Sequence, residues 1–365
     1  MKLTLERQPM TLKRFLFLTL GFFLLAVTVT AIVLGTYVKG FLDQPGSLPP
    51  REVEVVVPPN AFFSEMSLKL EEQGVIIDAR RFTLLAEWKG VTGKLRSGRY
   101  IVNTGWQPAQ VLEQLINGQP VLERVTIPEG LTWWQTGRLL ERAGMVRFED
   151  FESVVHDPDF LRHHGIPRKS AEGYLFPDTY FIMRPLTLDR DSAKSVVSRL
   201  IDNFWRKAAV LFPAGHKFTT DDRNRLAALV TLASIVEKET AVASERTQVA
   251  GVYSNRLQRG MILQADPTTI YGIGPDFNGV LKRSDLRNED NPYNTYKHKG
   301  LPPGPIASPG LASLRAASKP AEHNFIYFVA KGDGTHQFSE NLDAHNRAVR
   351  VFRQTQNQPK PEKVE

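Results

Sequence analysis

An uncharged apolar run of 24 residues, Phe15 to Val38, limits what this chain of 365 residues can be. A helix rises about 1.5 Å per residue, so the run is long enough to span a hydrocarbon core of about 30 Å. It is longer than the core of a signal peptide, and no clear small-residue cleavage site follows it. The run therefore predicts a retained single-pass transmembrane helix over residues 15–38, with a cleaved signal as the alternative.

The charges beside the apolar run predict its orientation. Residues 1–14 carry two lysines and two arginines against one glutamate. Since positively charged flanks stay on the cytoplasmic side, we expect residues 1–14 to be a cytoplasmic tail. Residues 39–50 include the breaker-rich segment QPGSLPP and are predicted to be a linker. Everything after the linker is then extracytoplasmic.

Composition argues against several classes of function. The formal charge is +7, but beyond the tail it is spread without a basic run, which gives nucleic-acid binding little support. The chain has no cysteine, so disulfides, thiolate metal sites and cysteine nucleophiles are excluded. Its 8 histidines include no HExxH and no His-x-His pair, so no metal site is predicted. The glycines of GIGPDFNG lack the Lys-Ser or Lys-Thr pair of a phosphate-binding loop.

Two similar segments predict small α+β modules in the first half of the chain. Each reads as a strand, a proline turn, a helix and a glycine stop. The matching positions, seventy residues apart, are Val57-Pro58 and Ile127-Pro128, Leu70-Glu71 and Leu140-Glu141, and Gly74 and Gly144. We predict that residues 51–146 form one or two such modules, that 147–356 form a larger α+β domain, and that 357–365 are a disordered tail.

One long helix is predicted over Thr220 to Ala241, TDDRNRLAALVTLASIVEKETA. Apolar residues surround most of its circumference, so we expect it to be buried. It nevertheless carries two acids near its C-terminal end, Glu237 and Glu239. Burial raises the pKa of a carboxyl group, which then holds a proton near neutral pH as a general acid must. The alternative is that these acids pair with arginine or lysine from elsewhere in the chain.

The segment 171–181, AEGYLFPDTYF, places aromatic residues beside two acids. Aromatic faces next to carboxylates are typical of sugar-binding clefts, because the apolar faces of sugar rings pack on them. The alternative, which the spacing alone favours, is a core segment with a proline turn. A long irregular stretch over 285–310, dense in Asn, Tyr, Pro and Gly, is also predicted to be functional.

Five motifs follow one another with matching order and spacing. They are EGYLFPDTY at 172–180, ASIVEKETAVASER at 233–246, LQADPTTIYG at 263–272, YNTYKHKGLPPGPIASPG at 293–310 and YFVAKGDGTHQFS at 327–339. Together they resemble the YceG-like family of endolytic murein transglycosylases. The resemblance covers nearly the whole chain and implies an α+β protein. In it, the anchor precedes a LysM-like module over 51–146 and a YceG-like catalytic domain over 147–356, built around the buried helix.

The resemblance implies an activity and a location. It implies a single-pass inner-membrane enzyme, with its bulk in the periplasm, that cuts nascent peptidoglycan between N-acetylmuramic acid (MurNAc) and N-acetylglucosamine (GlcNAc). Cleavage would leave 1,6-anhydroMurNAc ends, use neither water nor a cofactor, and terminate strand elongation. Peptidoglycan synthases (penicillin-binding proteins) are the implied partners. The family's catalytic glutamate matches the second acid of Glu-Lys-Glu, which is Glu239.

The residues agree with a mechanism that uses one carboxylate. Ordinary glycosidases use two carboxylates that face each other, whereas Glu237 and Glu239 point about 200° apart on a helix. Glu237 is interpreted as structural, with a substrate contact as the alternative. The remaining candidates for substrate binding can hydrogen-bond N-acetyl and hydroxyl groups, although the tyrosines can equally pack within their loop. They are Gln264, Asp266, Tyr293, Asn294, Thr295, Tyr296 and, more weakly, Asp178.

A non-catalytic function fits part of the sequence. A membrane-anchored scaffold that binds wall glycan for the synthases would also need an anchor and small modules. The carboxylate of Glu239, on an apolar helix beside a polar aromatic loop, argues against it. A scaffold should keep its function in Glu239→Gln, and an enzyme should lose it.

Overall fold

A computed structural model of the chain describes residues 12–216 and 218–356, and its internal contacts divide the chain after Leu122. The two units are residues 1–122 and 123–365. Residues 1–11 of the predicted cytoplasmic tail and the predicted disordered tail over 357–365 lie outside the described residues.

The apolar run is part of one continuous helix, α1 (Leu12–Asp43). Its section from Phe15 is long and apolar enough to cross a membrane, and its side chains are exposed as far as Gly40. The predicted helix is thus confirmed, and it fits a single-pass membrane anchor. The predicted linker is shorter than expected, because α1 continues to Asp43. Phe41 is only 4% exposed and belongs to the apolar core of the first unit.

After the anchor, the first unit has a β-α-α-β arrangement followed by one more helix. Its elements are β1 (Glu52–Val57), α2 (Phe63–Glu72), α3 (Ala79–Trp88), a 3₁₀ turn (Thr92–Lys94), β2 (Gly98–Asn103) and α4 (Pro108–Asn117). The two strands pair antiparallel, from Glu52 opposite Asn103 to Val57 opposite Gly98. Alternate strand residues, such as Val55 and Val102, are buried against the helices, as the two-residue period of a strand requires.

The second unit begins with the same arrangement. Its first elements are β3 (Glu123–Thr126), α5 (Trp133–Arg142), α6 (Phe148–Val155), a short additional helix α7 (Pro158–His163) and β4 (Thr179–Ile182). Strands β3 and β4 pair antiparallel, as β1 and β2 do. The seventy-residue repeat in the sequence is therefore a repeat in the structure.

The repeat extends to single hydrogen bonds. Gly74 and Gly144 stop α2 and α5 with φ of 69° and 68°, a left-handed conformation that favours glycine. The carboxylate of Glu71 accepts a hydrogen bond from the first backbone N–H of α3, at 3.3 Å. Glu141 accepts the equivalent bond from Phe148 N, the first of α6, at 3.0 Å. Each acid thus fixes the angle between two successive helices.

The structure places the boundary between the units 24 residues before the predicted one at 146/147. Strand β3 finds its partner in β4, more than fifty residues further along the chain. Val125 and Leu140 are buried in the same apolar cluster as residues from the later helices of the unit. Residues 123–146 therefore belong to the second unit, because their buried side chains pack in its core.

The rest of the second unit is mainly helical. Its elements are α8 (Arg190–Ala208), a 3₁₀ turn (Ala209–Leu211), α9 (Thr220–Glu239), a 3₁₀ turn (Ala243–Glu245), α10 (Arg246–Gln258), α11 (Asp266–Ile273), α12 (Arg283–Arg287), α13 (Leu311–Ser318), the hairpin β5 (Tyr327–Ala330) and β6 (His336–Ser339), and α14 (Leu342–Gln356). The mixed fold with small sheets agrees with the predicted α+β class.

Helix α9 is the buried helix that the sequence predicts. Thr219 caps its start by accepting a hydrogen bond from Asp222 N at 3.2 Å. Two apolar clusters meet on α9. Leu226 and Val230 belong to the first cluster, with α8, and Ile235 and Val236 belong to the second, with α10. The helix therefore holds the two halves of the second unit's core together.

Two leucines on α2 provide a matched test of the core packing in the first unit. Leu70 on α2 is fully buried, whereas Leu68 is 56% exposed on the same helix. We expect Leu70→Ala to lower the free energy of unfolding by about 2–5 kcal/mol, because it leaves a cavity in the core. Leu68→Ala should change it by no more than about 0.5 kcal/mol. Urea denaturation of the full chain in detergent measures both values, and equal losses would contradict the described burial.

Candidate active site

The last turn of α9 carries three charged residues out of the core. Val236 is fully buried, and the next three residues, Glu237, Lys238 and Glu239, are partly or fully exposed. The helix ends there because Thr240 has extended backbone angles, φ −141° and ψ 130°. Glu237 and Lys238 both lie close to Gly130, whereas Glu239 points away from Glu237 and meets a different part of the unit.

Glu239 is held by a buried tyrosine. The hydroxyl of Tyr253, on α10, donates a hydrogen bond to Glu239 Oε1 at 2.8 Å. Burial raises the pKa of Glu239 to about 7. The Tyr253 hydrogen bond opposes that rise, the charge of Asp266 adds to it, and His336 and Arg256 oppose it. Near neutral pH the carboxyl group can therefore both donate and accept a proton.

Asp266 and Tyr296, two predicted site residues, form one pair beside Glu239. The Tyr296 hydroxyl donates to Asp266 Oδ1 at 2.6 Å. Gln264, also predicted, takes a left-handed backbone conformation with φ 49°. Its N–H donates to the carbonyl of Thr295 at 3.1 Å, which joins the segment before α11 to the loop that carries Tyr296. The structure thus brings Gln264, Asp266 and Tyr296 together near Glu239.

Asn294 and Thr295 occupy a different position from the expected one. Both are buried, at 0% and 1% exposure, and their side chains bond within the protein. The Asn294 amide donates to three backbone carbonyls, those of Asp285, Leu286 and Asn288. Thr295 Oγ1 accepts a hydrogen bond from Ala265 N at 3.0 Å. These two residues fix the shape of the loop, and they do not form its surface.

Glu237 makes a structural contact with loop backbone, in agreement with its interpretation as a structural residue. Its Oε2 accepts a hydrogen bond from the backbone N–H of Gly310 at 3.0 Å. Its charge also raises the pKa of Glu129, after the larger effect of burial. Gly310 lies so close to Glu129 that a Cβ atom there would overlap its carboxylate. The Glu237 side chain therefore holds the C-terminal end of the long loop 285–310 against α9.

Asp178 belongs to a separate cluster. Its carboxylate accepts a hydrogen bond from Asn203 at 3.0 Å and pairs with Lys207 at 3.3 Å, both on α8. Within residues 12–216 and 218–356, no hydrogen bond joins it to Glu239 or to the Asp266–Tyr296 pair. The aromatic residues around it also favour the core interpretation of segment 171–181. Tyr174, Phe176 and Tyr180 are 0%, 4% and 7% exposed.

Glu172 was not among the predicted site residues, although it opens one of the motifs. It is 1% exposed and accepts hydrogen bonds from Trp133 N at 3.0 Å and Gly173 N at 3.2 Å. Burial raises the pKa of Glu172 to about 8, and hydrogen bonds, including one from the Tyr271 hydroxyl, oppose the rise. Tyr271 packs between Trp134, with ring centroids 5.1 Å apart, and Tyr293, at 4.8 Å. Tyr293 thus lies in an aromatic row that the sequence did not predict.

A second acid and a histidine support the other side of the site. His336 Nδ1 lies 2.7 Å from Glu245 Oε2, and His336 N donates to the same carboxylate. Arg256 donates to two backbone carbonyls, of Leu263 and Ile326, and so fixes both near Tyr253. His336 is the last residue of the sequence GDGTH at 332–336. Nothing in it reveals that His336 lies near a glutamate almost a hundred residues earlier.

Comparison with known proteins identifies the family of the chain. A sequence model of the YceG-like family matches residues 55–351 of the chain. A Bacillus subtilis (strain 168) protein named endolytic murein transglycosylase is 28% identical over 340 residues, which cover 88% of this chain and 91% of that protein. A protein of the same name from Streptococcus pneumoniae is 29% identical over 328 residues, but the match spans 58% of that longer protein.

A solved structure is similar as well. The crystal structure of a YceG-like protein from Listeria monocytogenes superposes with a TM-score of 0.51 at 27% identity. The match covers 81% of this chain and 99% of that one.

The Tyr253 hydrogen bond makes a prediction about the ionisation of Glu239. The bond stabilises the charged carboxylate, so Tyr253→Phe should raise the pKa of Glu239 above its value of about 7. The titration midpoint of the Glu239 carboxyl carbon, followed by NMR, should move to higher pH. Tyr174→Phe is the control, since Tyr174 is equally buried and its hydroxyl has no hydrogen-bond partner in the described chain. An unchanged midpoint in Tyr253→Phe would show that this hydrogen bond does not control the site.

Proposed function

The chain belongs to the YceG-like family, and we propose that it is an endolytic lytic transglycosylase of peptidoglycan, with Glu239 as its acid and base. The proposed reaction breaks the β-1,4 bond between MurNAc and GlcNAc in nascent glycan strands and forms 1,6-anhydroMurNAc ends. The names of the related proteins support the substrate class. The observation that carries the proposal is one carboxyl group, half-buried on α9, whose pKa lies near 7.

In the first half of the reaction Glu239 acts as an acid. Its proton passes to the bridging oxygen O4 of GlcNAc as the bond from that oxygen to C1 of MurNAc breaks. Positive charge develops on the MurNAc ring at this point. The carboxylate of Asp266, near enough to raise the pKa of Glu239, is placed to stabilise that charge.

In the second half Glu239 acts as a base. Its carboxylate takes the proton from the C6 hydroxyl of the same MurNAc, and O6 forms a bond with C1. One proton leaves O6 and one reaches O4, so Glu239 returns to its starting state and no water is consumed. Because the nucleophile is part of the substrate, proximity replaces the second catalytic group of an ordinary glycosidase.

Groups around Glu239 support both protonation states. Burial and the Asp266 charge favour the acid, whereas the Tyr253 hydroxyl and the side chains of His336 and Arg256 favour the carboxylate. These opposing effects leave the pKa near the pH at which the proton must be transferred in both directions. Tyr296 and Gln264 complete the polar side of the site and are proposed to hydrogen-bond the sugars. Tyr293 contributes an aromatic face.

The proposal includes a location and partners. Helix α1 fits a single-pass anchor, and we place the N-terminus in the cytoplasm and the two folded units in the periplasm, at the inner membrane. The β-α-α-β arrangement of residues 52–103 supports the proposed LysM-like module. An anchored enzyme would meet strands as membrane-bound synthases release them, which supports synthases as partners and strand termination as the outcome.

Glu239→Gln provides the direct test. General acid-base catalysis contributes about 10²–10⁴-fold, so strand cleavage by the full chain in detergent should fall by at least that factor. Mass spectrometry of wild-type products should show ends lighter than hydrolytic ends by one water. Glu237→Gln is the matched control on the same turn, since an amide oxygen can still accept the bond from Gly310. It should stay within about tenfold of wild type.

Two results would overturn parts of the proposal. If the products carry hydrolytic reducing ends, the proposed substrate stands but the one-carboxylate mechanism is wrong. Asp266 would then be the candidate for the second carboxylate. A folded wild-type protein that binds strands without cutting them, and binds equally well as Glu239→Gln, would favour the scaffold function.

A further inference from the structure

A cavity of about 490 Å³ lies next to the proposed site, between segment 166–172 and the proline-rich loop at 303–305. Three cationic side chains line it, those of Arg162, Arg168 and Lys169. Tyr293 forms part of its wall, and proline rings form much of the rest. The loop at 303–305 belongs to the motif at 293–310, and segment 166–172 ends at Glu172, the first residue of another motif. The reaction at Glu239 does not explain the role of either segment.

The cavity has an excess of positive charge. Arg162 pairs with Asp159, but no carboxylate of the described chain lies within salt-bridge distance of Arg168 or Lys169. The Nε atom of Arg168 is buried and has no hydrogen-bond partner among the described residues. A buried guanidinium nitrogen without a partner is unusual, because leaving such a donor unpaired costs free energy.

The one acid in the cavity wall does not balance these cations. Both oxygens of Glu172 already accept hydrogen bonds, from Trp133 N and from Gly173 N. Its raised pKa of about 8 leaves it largely uncharged at neutral pH. A ligand that enters the cavity therefore meets uncompensated positive charge.

Tyr293 connects the cavity to the proposed active site. Its ring packs on Tyr271, which lies on α11, the helix that begins with Asp266. Tyr293 is also three residues before Tyr296, the partner of Asp266. A glycan whose apolar sugar faces pack along Trp134, Tyr271 and Tyr293 would follow the helix that carries Asp266 and reach the cationic cavity at Tyr293.

We propose that this cavity binds a carboxylate of the peptide stem that MurNAc carries, with Arg168 and Lys169 as its cationic partners. The inference rests on the proposed function, since it takes a peptide-bearing glycan as the ligand. A carboxylate is favoured over a hydrated diphosphate because proline rings make much of the wall apolar. Arginine can hold a carboxylate through two hydrogen bonds, one of them from the Nε atom that is without a partner.

The test measures binding, so that it does not depend on catalysis. In the full chain with Glu239→Gln, the Kd is measured by calorimetry for strands of one length with their stems and for the same strands after an amidase has removed them. Intact strands should bind at least about tenfold more tightly. Arg168→Gln and Lys169→Gln should each remove most of that preference. Arg225→Gln, an exposed arginine of the same unit, should preserve it.

Each outcome decides the proposal. Equal Kd values for intact and stripped strands would overturn it, as would a loss of affinity for both substrates in Arg168→Gln. Strands without stem peptides that still carry a lipid diphosphate test the diphosphate as the ligand. If they bind tightly and Arg168→Gln abolishes that binding, the cavity binds the diphosphate and the proposal is wrong. Arg168→Lys keeps the charge but lacks the Nε donor, so it should recover only part of the preference, and full recovery would contradict the assigned Nε hydrogen bond. Failure of the proposed function would show separately, as a lack of anhydro ends from wild type.

A separate observation concerns the first unit, where α3 exposes large apolar side chains. Leu84 is 58% exposed and Trp88 is 82% exposed. With Arg81 they occupy positions i, i+3 and i+7, so the three share one face of the helix. Residues 79–94 carry four cations, Arg80, Arg81, Lys89 and Lys94, against Glu87.

This face begins at the membrane anchor. The guanidinium of Arg81 lies 4.1 Å from the centroid of the Tyr37 ring, and Tyr37 is at the outer end of the apolar run. One turn further along α1, Phe41 is buried in the core of the first unit. The anchor and the module are therefore packed together at the level where the run ends.

We infer that the Arg81–Leu84–Trp88 face lies on the surface of the bilayer that α1 spans. Tryptophan and tyrosine are enriched at membrane–water interfaces, and the flanking cations suit anionic headgroups. The contact between Arg81 and Tyr37 makes this face continuous with the anchor. The module would then be held against the lipid surface rather than projected away from it.

Because the chain has no cysteine, a single introduced cysteine can be labelled specifically, and its depth in the bilayer can be measured. A nitroxide is attached at Leu84→Cys in the full chain, in nanodiscs that contain phosphatidylglycerol, with Glu113→Cys on the exposed face of α4 as control. The ratio of oxygen to nickel-complex accessibility should be several times higher at 84 than at 113. Adding Trp88→Ser to the labelled chain should lower it. Equal ratios at the two positions would overturn the inference.

Discussion

The burial of α9 between two apolar clusters is the constraint on which the rest of the catalytic unit depends. Leu226 and Val230 pack on one side, and Ile235 and Val236 pack on the other, so the helix cannot rotate without exposing one set. That fixed rotation aims the three charged residues of its last turn. Glu237 reaches the backbone of Gly310, and Glu239 reaches Tyr253. The same apolar packing that stabilises the fold thus sets the position of the proposed acid.

The pKa of Glu239 depends on this burial and on the neighbouring groups that oppose its effect. Desolvation is the largest effect on Glu239 and raises its pKa, which favours the acid over the base. Tyr253, His336 and Arg256 bring the pKa back to about 7. Each of them is fixed by other contacts: Tyr253 by burial, His336 by Glu245, and Arg256 by two backbone carbonyls. A site of this kind needs its supporting residues to be rigid, since a proton donor must be held in place to be effective.

Local patterns made part of this structure predictable. The anchor, the buried helix and the seventy-residue repeat follow from apolar periodicity and from glycine stops, which act over a few residues. The pairing of β3 with β4 joins segments more than fifty residues apart, so the boundary after Leu122 left no local signal. Glu172 and His336 were missed for the same reason, since Trp133 and Glu245 are distant in the chain. Asn294 was misplaced because a polar side chain in a loop can face inward when backbone carbonyls satisfy it.

The two copies of the β-α-α-β arrangement show how one scaffold can take on two roles. Both keep the glycine stop and the glutamate that holds the next helix, which are the contacts that fix their shape. They differ at the start of the first helix, where Phe63 and Ser64 in one copy correspond to Trp133 and Trp134 in the other. In the second copy Trp133 N donates to Glu172 and the Trp134 ring packs on Tyr271, so that helix start supports the aromatic row. The shape of the repeat is thus maintained by its glycine stops and by the two glutamates, and the residues at one helix end are free to form the wall of the proposed glycan site.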